Sequence, residues 1–353
     1  MRYRELGKSG LKVSEIGFGV WTVSTTWWGV KEESVGISLL QEAIDQGINF
    51  FDTADTYGNG LGETILAKAL GSKRDQMVIA TKVGYDFYHH TSRRGQEELP
   101  QDFSPGYLEF ALGESLKRLQ TDRIDLYQLH NPRIDVIRRD DTFETLERFK
   151  KEGKIKSYGV ALGPAIAPRQ ADEGKAAIQE RRVDSVQIIY NLLEQMLGEQ
   201  VFPAARNSDS SILVRVPHAS GLLDGTVRPE TTFTENDHRY HRVSTDEKKR
   251  LWQEEGLKKV EQLDFLTKGT GRDLELRSGA ASSSRSRTLG QAALKFILSE
   301  PSIASVFPNI YNDYLLTEFA AASGVPDLTG EELSKTSDLY ATNFGLASTS
   351  AAS

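Results

Sequence analysis

INFFDTADTYG, residues 48–58, closes a short apolar run on Asp52 and places Tyr57 a few positions later. Two other runs close in the same way, MVIATK (77–82) on Lys82 and IDLYQLH (124–130) on His130. Parallel strands buried on both faces read as short continuous apolar runs, and in a β/α barrel the reactive side chains gather at their carboxyl ends. The pattern predicts that Asp52, Tyr57, Lys82 and His130 meet at one mouth of a barrel.

Working outward, five more runs share this character: IGFGVW (16–21), IKSYGVAL (155–162), SVQIIYN (185–191), ILVRV (212–216) and IASVFPN (303–309). Between them lie helical patterns at 33–46, 63–70, 105–119, 142–151, 168–181 and 288–298. Strand and helix alternate, and eight strands is the number a closed barrel needs. YREL and LKVSEI, joined by GKSG, predict a β-hairpin over 3–16 ahead of the repeat. The expected fold is α/β: a single (β/α)8 TIM barrel spanning 1–345, with an N-terminal β-hairpin and active-site loops at the carboxyl ends of its strands. A doubly wound open sheet is the rival.

Two stretches break the rhythm. Residues 84–104, carrying Tyr85, Phe87 and Tyr88, should overhang the mouth after the third strand. Residues 270–288 are rich in Ser, Gly and Arg and predict a flexible insertion; a lid is the alternative. The tail 346–353 is expected to be disordered.

The chain has 353 residues, with 43 basic and 50 acidic side chains, a formal charge of −7. No basic block is present to follow a phosphate backbone, so neither nucleic acid nor a membrane surface is an expected partner. Cysteine is absent, which removes disulfides, thiolate metal sites and cysteine nucleophiles. With no apolar signal core at MRYRELGKSG and no run long enough to span a bilayer, a soluble cytoplasmic protein is expected.

The four polar residues suggest a reaction. A phenol titrates near ~10, so exchange of its proton near neutrality needs a neighbouring cation. Lys82 supplies one, and Asp52 can hold that ammonium in place. His130 can orient a carbonyl oxygen and stabilise developing negative charge. A proton donor and an oxyanion stabiliser with no nucleophile or metal suit carbonyl reduction beside a bound hydride source.

FDTADTYG, ATKVG and LHNP resemble the signature segments of the aldo-keto reductase superfamily. GKSGLKVSEIGFGVW resembles its opening hairpin and first strand, VDSVQIIYN its sixth strand, RVPHASGLLDG its seventh strand with the cofactor loop, and TLGQAALKFIL with IASVFPN its last unit. The resemblance implies an NAD(P)H-dependent oxidoreductase in which Tyr57 is the general acid/base, with Asp52, Lys82 and His130 beside it. It implies further that Gly19, Trp21, Asp52, Gln187, Arg215, His218, Ser220, Gly221, Leu222, Asn309 and Glu318 bind the cofactor. Gln187 would hold the nicotinamide carboxamide, Arg215 would stand where an aromatic ring commonly stacks on the nicotinamide, and 218–222 would fold over the pyrophosphate.

The chain departs from that pattern in places. Ala161 and Leu162 stand where a serine and asparagine pair is usual. Phe319 replaces an asparagine and is a candidate to stack on the adenine. The resemblance favours NADP(H), yet Asn309, Ile310, Tyr311 and Leu315 offer no basic group for its extra phosphate. Arg272, Arg277, Arg285 or Arg287 would have to supply it, and NAD(H) is the alternative. No metal site is expected.

Each residue also has a plainer reading. Asp52 can cap a turn, Lys82 can pair with any carboxylate, and His130 can be a satisfied strand-end histidine. His89 with His90, and His238 with His241, are read as surface histidines because neither pair has a third ligand at a telling spacing. Trp27 and Trp28 either line the substrate pocket or cover the barrel mouth. The expected substrate is a small aldehyde, ketone or sugar. The alternative is a cofactor-binding, redox-sensing subunit of a larger assembly, similar to a potassium-channel β subunit.

Overall fold

The structure is a computed structural model that describes residues 1–25, 28–90, 98–267 and 287–346. Strands β1 (Tyr3–Leu6) and β2 (Leu11–Ser14) pair as the antiparallel hairpin, with Leu6 opposite Leu11. The eight that follow are β3 (Phe18–Gly19), β4 (Phe50–Asp52), β5 (Val78–Val83), β6 (Ile124–His130), β7 (Ile155–Ala161), β8 (Ser185–Ile189), β9 (Ser211–Arg215) and β10 (Ile303–Phe307). They are parallel and lie side by side in chain order, the order of a barrel and not of a doubly wound sheet. The seam is a one-residue parallel bridge between Ile16 and Val306. There Gly17 N–H donates to the Val306 carbonyl at 2.9 Å and Val306 N–H to that of Glu15 at 3.0 Å.

Side chains two apart on a strand share a face, so each strand sends alternate residues into the barrel. Phe50, Val78, Ala80, Leu126, Leu213 and Ala304 form an apolar cluster, and Leu6 and Val13 of the hairpin join it. The hairpin thus packs on the barrel's lower interior, where full burial of a Leu or Val contributes about 1.5–3 kcal/mol. Two residues further along the same strands come Asp52, Lys82, Gln128 and Arg215. The interior therefore turns from apolar to polar toward the carboxyl ends. This places the site.

The outer helices carry local start signals. Ser104 caps the helix Pro105–Leu119, accepting from Tyr107 N–H, with proline in the first turn. Thr288 and Gln291 form a capping box at Leu289–Leu298. The helices Glu33–Asp45, Asp140–Lys151 and Gln170–Gln179 occupy the expected stretches. Met196–Arg206, Asp313–Ala321 and Gly330–Ala341 are further helices that periodicity did not single out.

Two expectations change. IGFGVW supplies only Phe18–Gly19 as strand, since Val20–Val23 is a 3-10 turn. The overhang 84–104 is folded at its base, where Tyr85 bridges Gln101, Asp86 N–H donates to Pro100 O and Asp102 N–H to Gly84 O, both at 2.8 Å. Nearly all of the expected insertion 270–288, and all of the tail but Leu346, lie outside the described residues. Among the described residues no helix is long and apolar enough to cross a membrane, and no metal-binding cluster occurs.

Candidate active site

Asp52 ends β4 with all of its oxygen acceptors directed inward. Its Oδ1 receives Lys82 Nζ at 2.5 Å, and its Oδ2 receives Gln128 Nε2 and Gln187 Nε2, each at 3.0 Å. Lys82, only 1% exposed, donates also to the Thr53 carbonyl at 2.7 Å and to the Tyr57 hydroxyl at 3.2 Å. An ammonium has three N–H donors, and these three acceptors use them all. Burial pulls the Lys82 pKa down, but the facing Asp52 and then Tyr57 outweigh it, and the net shift is upward. Lys82 is therefore a fixed cation.

This fixes the polarity of Tyr57. Its oxygen accepts from Lys82, so its own proton is left to donate elsewhere. The turn that carries it depends on Gly58, where φ is 59° and a Cβ would lie 2.2 Å from the Ser24 carbonyl oxygen. His130 ends β6 and sets its ring edge-on to Tyr57, with centroids 6.0 Å apart, and to Tyr85 at 4.9 Å. Tyr85 is the only other phenol the structure sets against His130 among the described residues, and its chemistry differs. Its proton goes to Glu98 Oε1 at 2.7 Å, its oxygen receives Asn131 Nδ2, and burial drives its pKa upward. Asp52, Tyr57, Lys82 and His130 are thus brought together as the sequence predicts. Gln128, which sequence reading passed over, was findable as the residue two before His130 on an inward-facing row.

Across the mouth the partners are of another kind. Ala161 and Leu162 present only backbone, and the Leu162 carbonyl accepts from Arg215 NH2 at 2.7 Å. Gln187 is fully buried, with Nε2 on Asp52 and Oε1 lacking a hydrogen-bond partner among the described residues. After β9 the backbone turns through left-handed conformations at Val216, Ala219, Ser220 and Gly221, with φ of 58°, 49°, 61° and 108°. A β-branched residue at positive φ is strained, and such strain concentrates at ligand-binding loops.

His218 is turned inward, with Nε2 at 3.1 Å from the Gly290 carbonyl and its ring stacked on Phe319 at 4.4 Å. Burial lowers its pKa, so the ring is neutral. Phe319 is fully buried in that stack, which corrects the expectation that it stacks on a base. Glu318 accepts from Thr288 Oγ1 at 2.6 Å, and Leu222 is buried. Gly19 lies beside Phe307 and Pro308, and Asn309 is partly buried just beyond β10.

A roof of rings covers one side. Trp28 packs on Trp21, His238 and Tyr311 at 5.3, 4.5 and 5.3 Å, with Arg239 over it. His238 is therefore no surface histidine: burial lowers its pKa to about 3 and keeps it neutral. His89 and His90 do lie at the surface, beside Asp86. Trp27 lies outside the described residues, as do Arg272, Arg277 and Arg285. Arg287 is tied to Glu332 and to the Leu266 carbonyl.

The sequence profile of the Aldo/keto reductase family matches residues 15–341. The chain belongs to the aldo-keto reductase family. Its members are oxidoreductases that work with nicotinamide cofactors on small carbonyl compounds. Aldo-keto reductase YhdN of Bacillus subtilis (strain 168) is 35% identical over 276 residues, 76% of each chain. The NADH-specific methylglyoxal reductase of Escherichia coli (strain K12) is 29% identical over 235 residues, 64% of this chain and 70% of that one. The holo form of aldo-keto reductase AKR11C1 from Bacillus halodurans superposes with a TM-score of 0.74 at 29% identity, covering 96% of both chains.

Proposed function

We propose that this chain reduces aldehydes or ketones with a nicotinamide dinucleotide, Tyr57 serving as general acid and, in the reverse direction, as general base. The observation that carries this reading is the Lys82 hydrogen bond to the Tyr57 oxygen at 3.2 Å. As hydride reaches the carbonyl carbon, Tyr57 gives its proton to the oxygen. Lys82 stabilises the phenolate left behind, and Asp52 balances Lys82. Gln128 and Gln187 keep the carboxylate oriented. His130 donates to the same carbonyl oxygen, a contribution worth about 3–4 kcal/mol for a well-placed donor. Proton transfer from a positioned side chain adds about 10²–10⁴ in rate.

The residues fit the cofactor. The buried, unpartnered Oε1 of Gln187 suits an amide donor such as a carboxamide, and the left-handed turn at 216–221 makes a loop of the kind that closes on a phosphate chain. Gln187, with Gly19 and Trp21 at the end of β3, where Gly19 pairs with Asp52, would hold the nicotinamide end, Ser220, Gly221 and Leu222 the pyrophosphate, and Asn309 and Glu318 the adenosine side. A bound reduced nicotinamide supplies the hydride. Among the described residues of the adenosine side Tyr311 is packed on Trp28, Asp313 opens the helix and Arg287 is engaged elsewhere, which supports NAD(H) over NADP(H).

Titration with NADH and NADPH, followed by quenching of tryptophan fluorescence, tests both points when a panel of small aldehydes is then added. Micromolar binding of NADH with aldehyde-dependent loss of nicotinamide absorbance is expected. Failure to bind either cofactor overturns the reading, and tighter binding of NADPH overturns the cofactor choice.

A further inference from the structure

The turn that carries Tyr57 bends through three successive left-handed residues, Gly58, Asn59 and Gly60, with φ of 59°, 55° and 93°. Backbone of this kind persists only where its surroundings over-determine it. Arg118, near the end of the helix Pro105–Leu119, packs against its tip: a Cβ at Gly60 would lie 2.6 Å from Arg118 Cδ and 3.0 Å from Nε. Arg118 Nε donates to Glu63 Oε2 at 2.7 Å, and Glu63, with no exposed surface, receives Thr81 Oγ1 on its other oxygen at 2.6 Å. Thr81 precedes Lys82 on β5, and Lys82 donates to Tyr57. The contacts close a ring that runs from Lys82 through Thr81, Glu63, Arg118 and Gly60 to Tyr57 and back. Arg118 NH2 also donates to the Tyr88 hydroxyl at 2.7 Å and to Ser115 Oγ at 3.4 Å. Tyr88 belongs to the overhang, as does Tyr85, whose ring stands against His130. Asp55 lies close enough to feel both Glu63 and Arg118, yet is bonded to neither.

We propose that Arg118 is a positioning residue for the reduction: braced by Glu63, it fixes the Tyr57 hydroxyl against Lys82 from behind the barrel wall. It acts through Gly60 and Thr81 and not on the substrate itself. A guanidinium suits the task because its planar fork holds Glu63 and Tyr88 at once, which an ammonium on a flexible stem does less rigidly. The pair is withdrawn from water, Glu63 entirely and the Arg118 side chain to 18% exposure, so breaking it leaves an uncompensated buried charge. Proton transfer needs that fixity, since displacing a reacting group by about 1 Å costs about 10²-fold in rate.

This inference rests on the reductase reading, and the test separates the two. With the preferred reduced cofactor and a small aldehyde, kcat, cofactor affinity and the solvent deuterium isotope effect on kcat are measured for the wild type, Arg118→Met, Arg118→Lys and Thr81→Val. Arg118→Met should lower kcat at least tenfold and leave cofactor affinity within threefold. Its isotope effect should rise, because transfer of the Tyr57 proton has become the slow step. Arg118→Lys should recover part of kcat. Thr81→Val keeps the ion pair and loses only the hydroxyl that ties it to the Lys82 strand. Its kcat should fall at least threefold with the same rise in isotope effect, and it decides the question if the methionine variant does not fold. A kcat within twofold of the wild type in the folded variants, or a fall with an unchanged isotope effect, overturns the proposal and leaves the reductase reading intact. A wild type that turns over no aldehyde overturns both.

Discussion

The two halves of the barrel mouth solve the problem of buried polarity differently. On the β4–β6 side, Asp52 and Lys82 are paired at 2.5 Å, and each is held by further hydrogen bonds. On the β7–β10 side, Arg215 rests on backbone carbonyls, with no ion-pair partner among the described residues. A buried charge matched by a counter-ion holds its geometry without a ligand, whereas one that rests on neutral carbonyls is less tightly held. In the proposed function the first half does the chemistry and the second binds.

The strongest way to break this contrast is to remove one partner of the paired half. Lys82→Met leaves the Asp52 carboxylate buried with only its two amide donors. Unfolding in urea should show a loss of about 3–5 kcal/mol, together with loss of reductase activity. A loss below 1 kcal/mol would mean that the pair is not structurally coupled as described.

Asp55, behind the paired half, is the exception that tests the contrast. It is fully buried, neither carboxyl oxygen has a hydrogen-bond partner among the described residues, and burial followed by Glu63 raises its pKa well above the usual range. A carboxyl whose folded pKa lies above its unfolded value favours the folded state fully below the unfolded pKa. That contribution is lost as pH rises through the folded value. Asp55→Asn should therefore match the wild type at about pH 4, near the unfolded value, and exceed it at pH 8 by about 1–3 kcal/mol. An advantage that is equal at both pH values would contradict the assigned cause.

The smallest effect belongs to the binding half. Val216 holds φ at 58°, and Val216→Gly should raise stability by about 1 kcal/mol by relieving that strain. Thermal melts that show no gain would mean that the loop is not strained there.

The halves also differ in how legible they were. Asp52, Lys82 and His130 could be read because each ends an apolar run, and the strand period alone carries them inward. The closed barrel followed from the same runs, although IGFGVW read as longer than its two-residue strand because an apolar 3-10 turn looks the same in sequence. The binding half was less legible. Its shape comes from left-handed backbone at Val216, Ala219 and Ser220, residue types that give no sign of it. The inward turn of His218 onto Phe319 and the burial of His238 among tryptophans are long-range contacts that no local pattern encodes.

The most direct test of the account compares the wild type with Tyr57→Phe in one cuvette experiment, following NADH fluorescence on binding and then nicotinamide absorbance after aldehyde is added. The account predicts unchanged cofactor affinity and a fall in turnover of about 10²–10⁴, the contribution of a positioned proton donor. Turnover within a few-fold of the wild type would contradict it, because the proton would then come from another group.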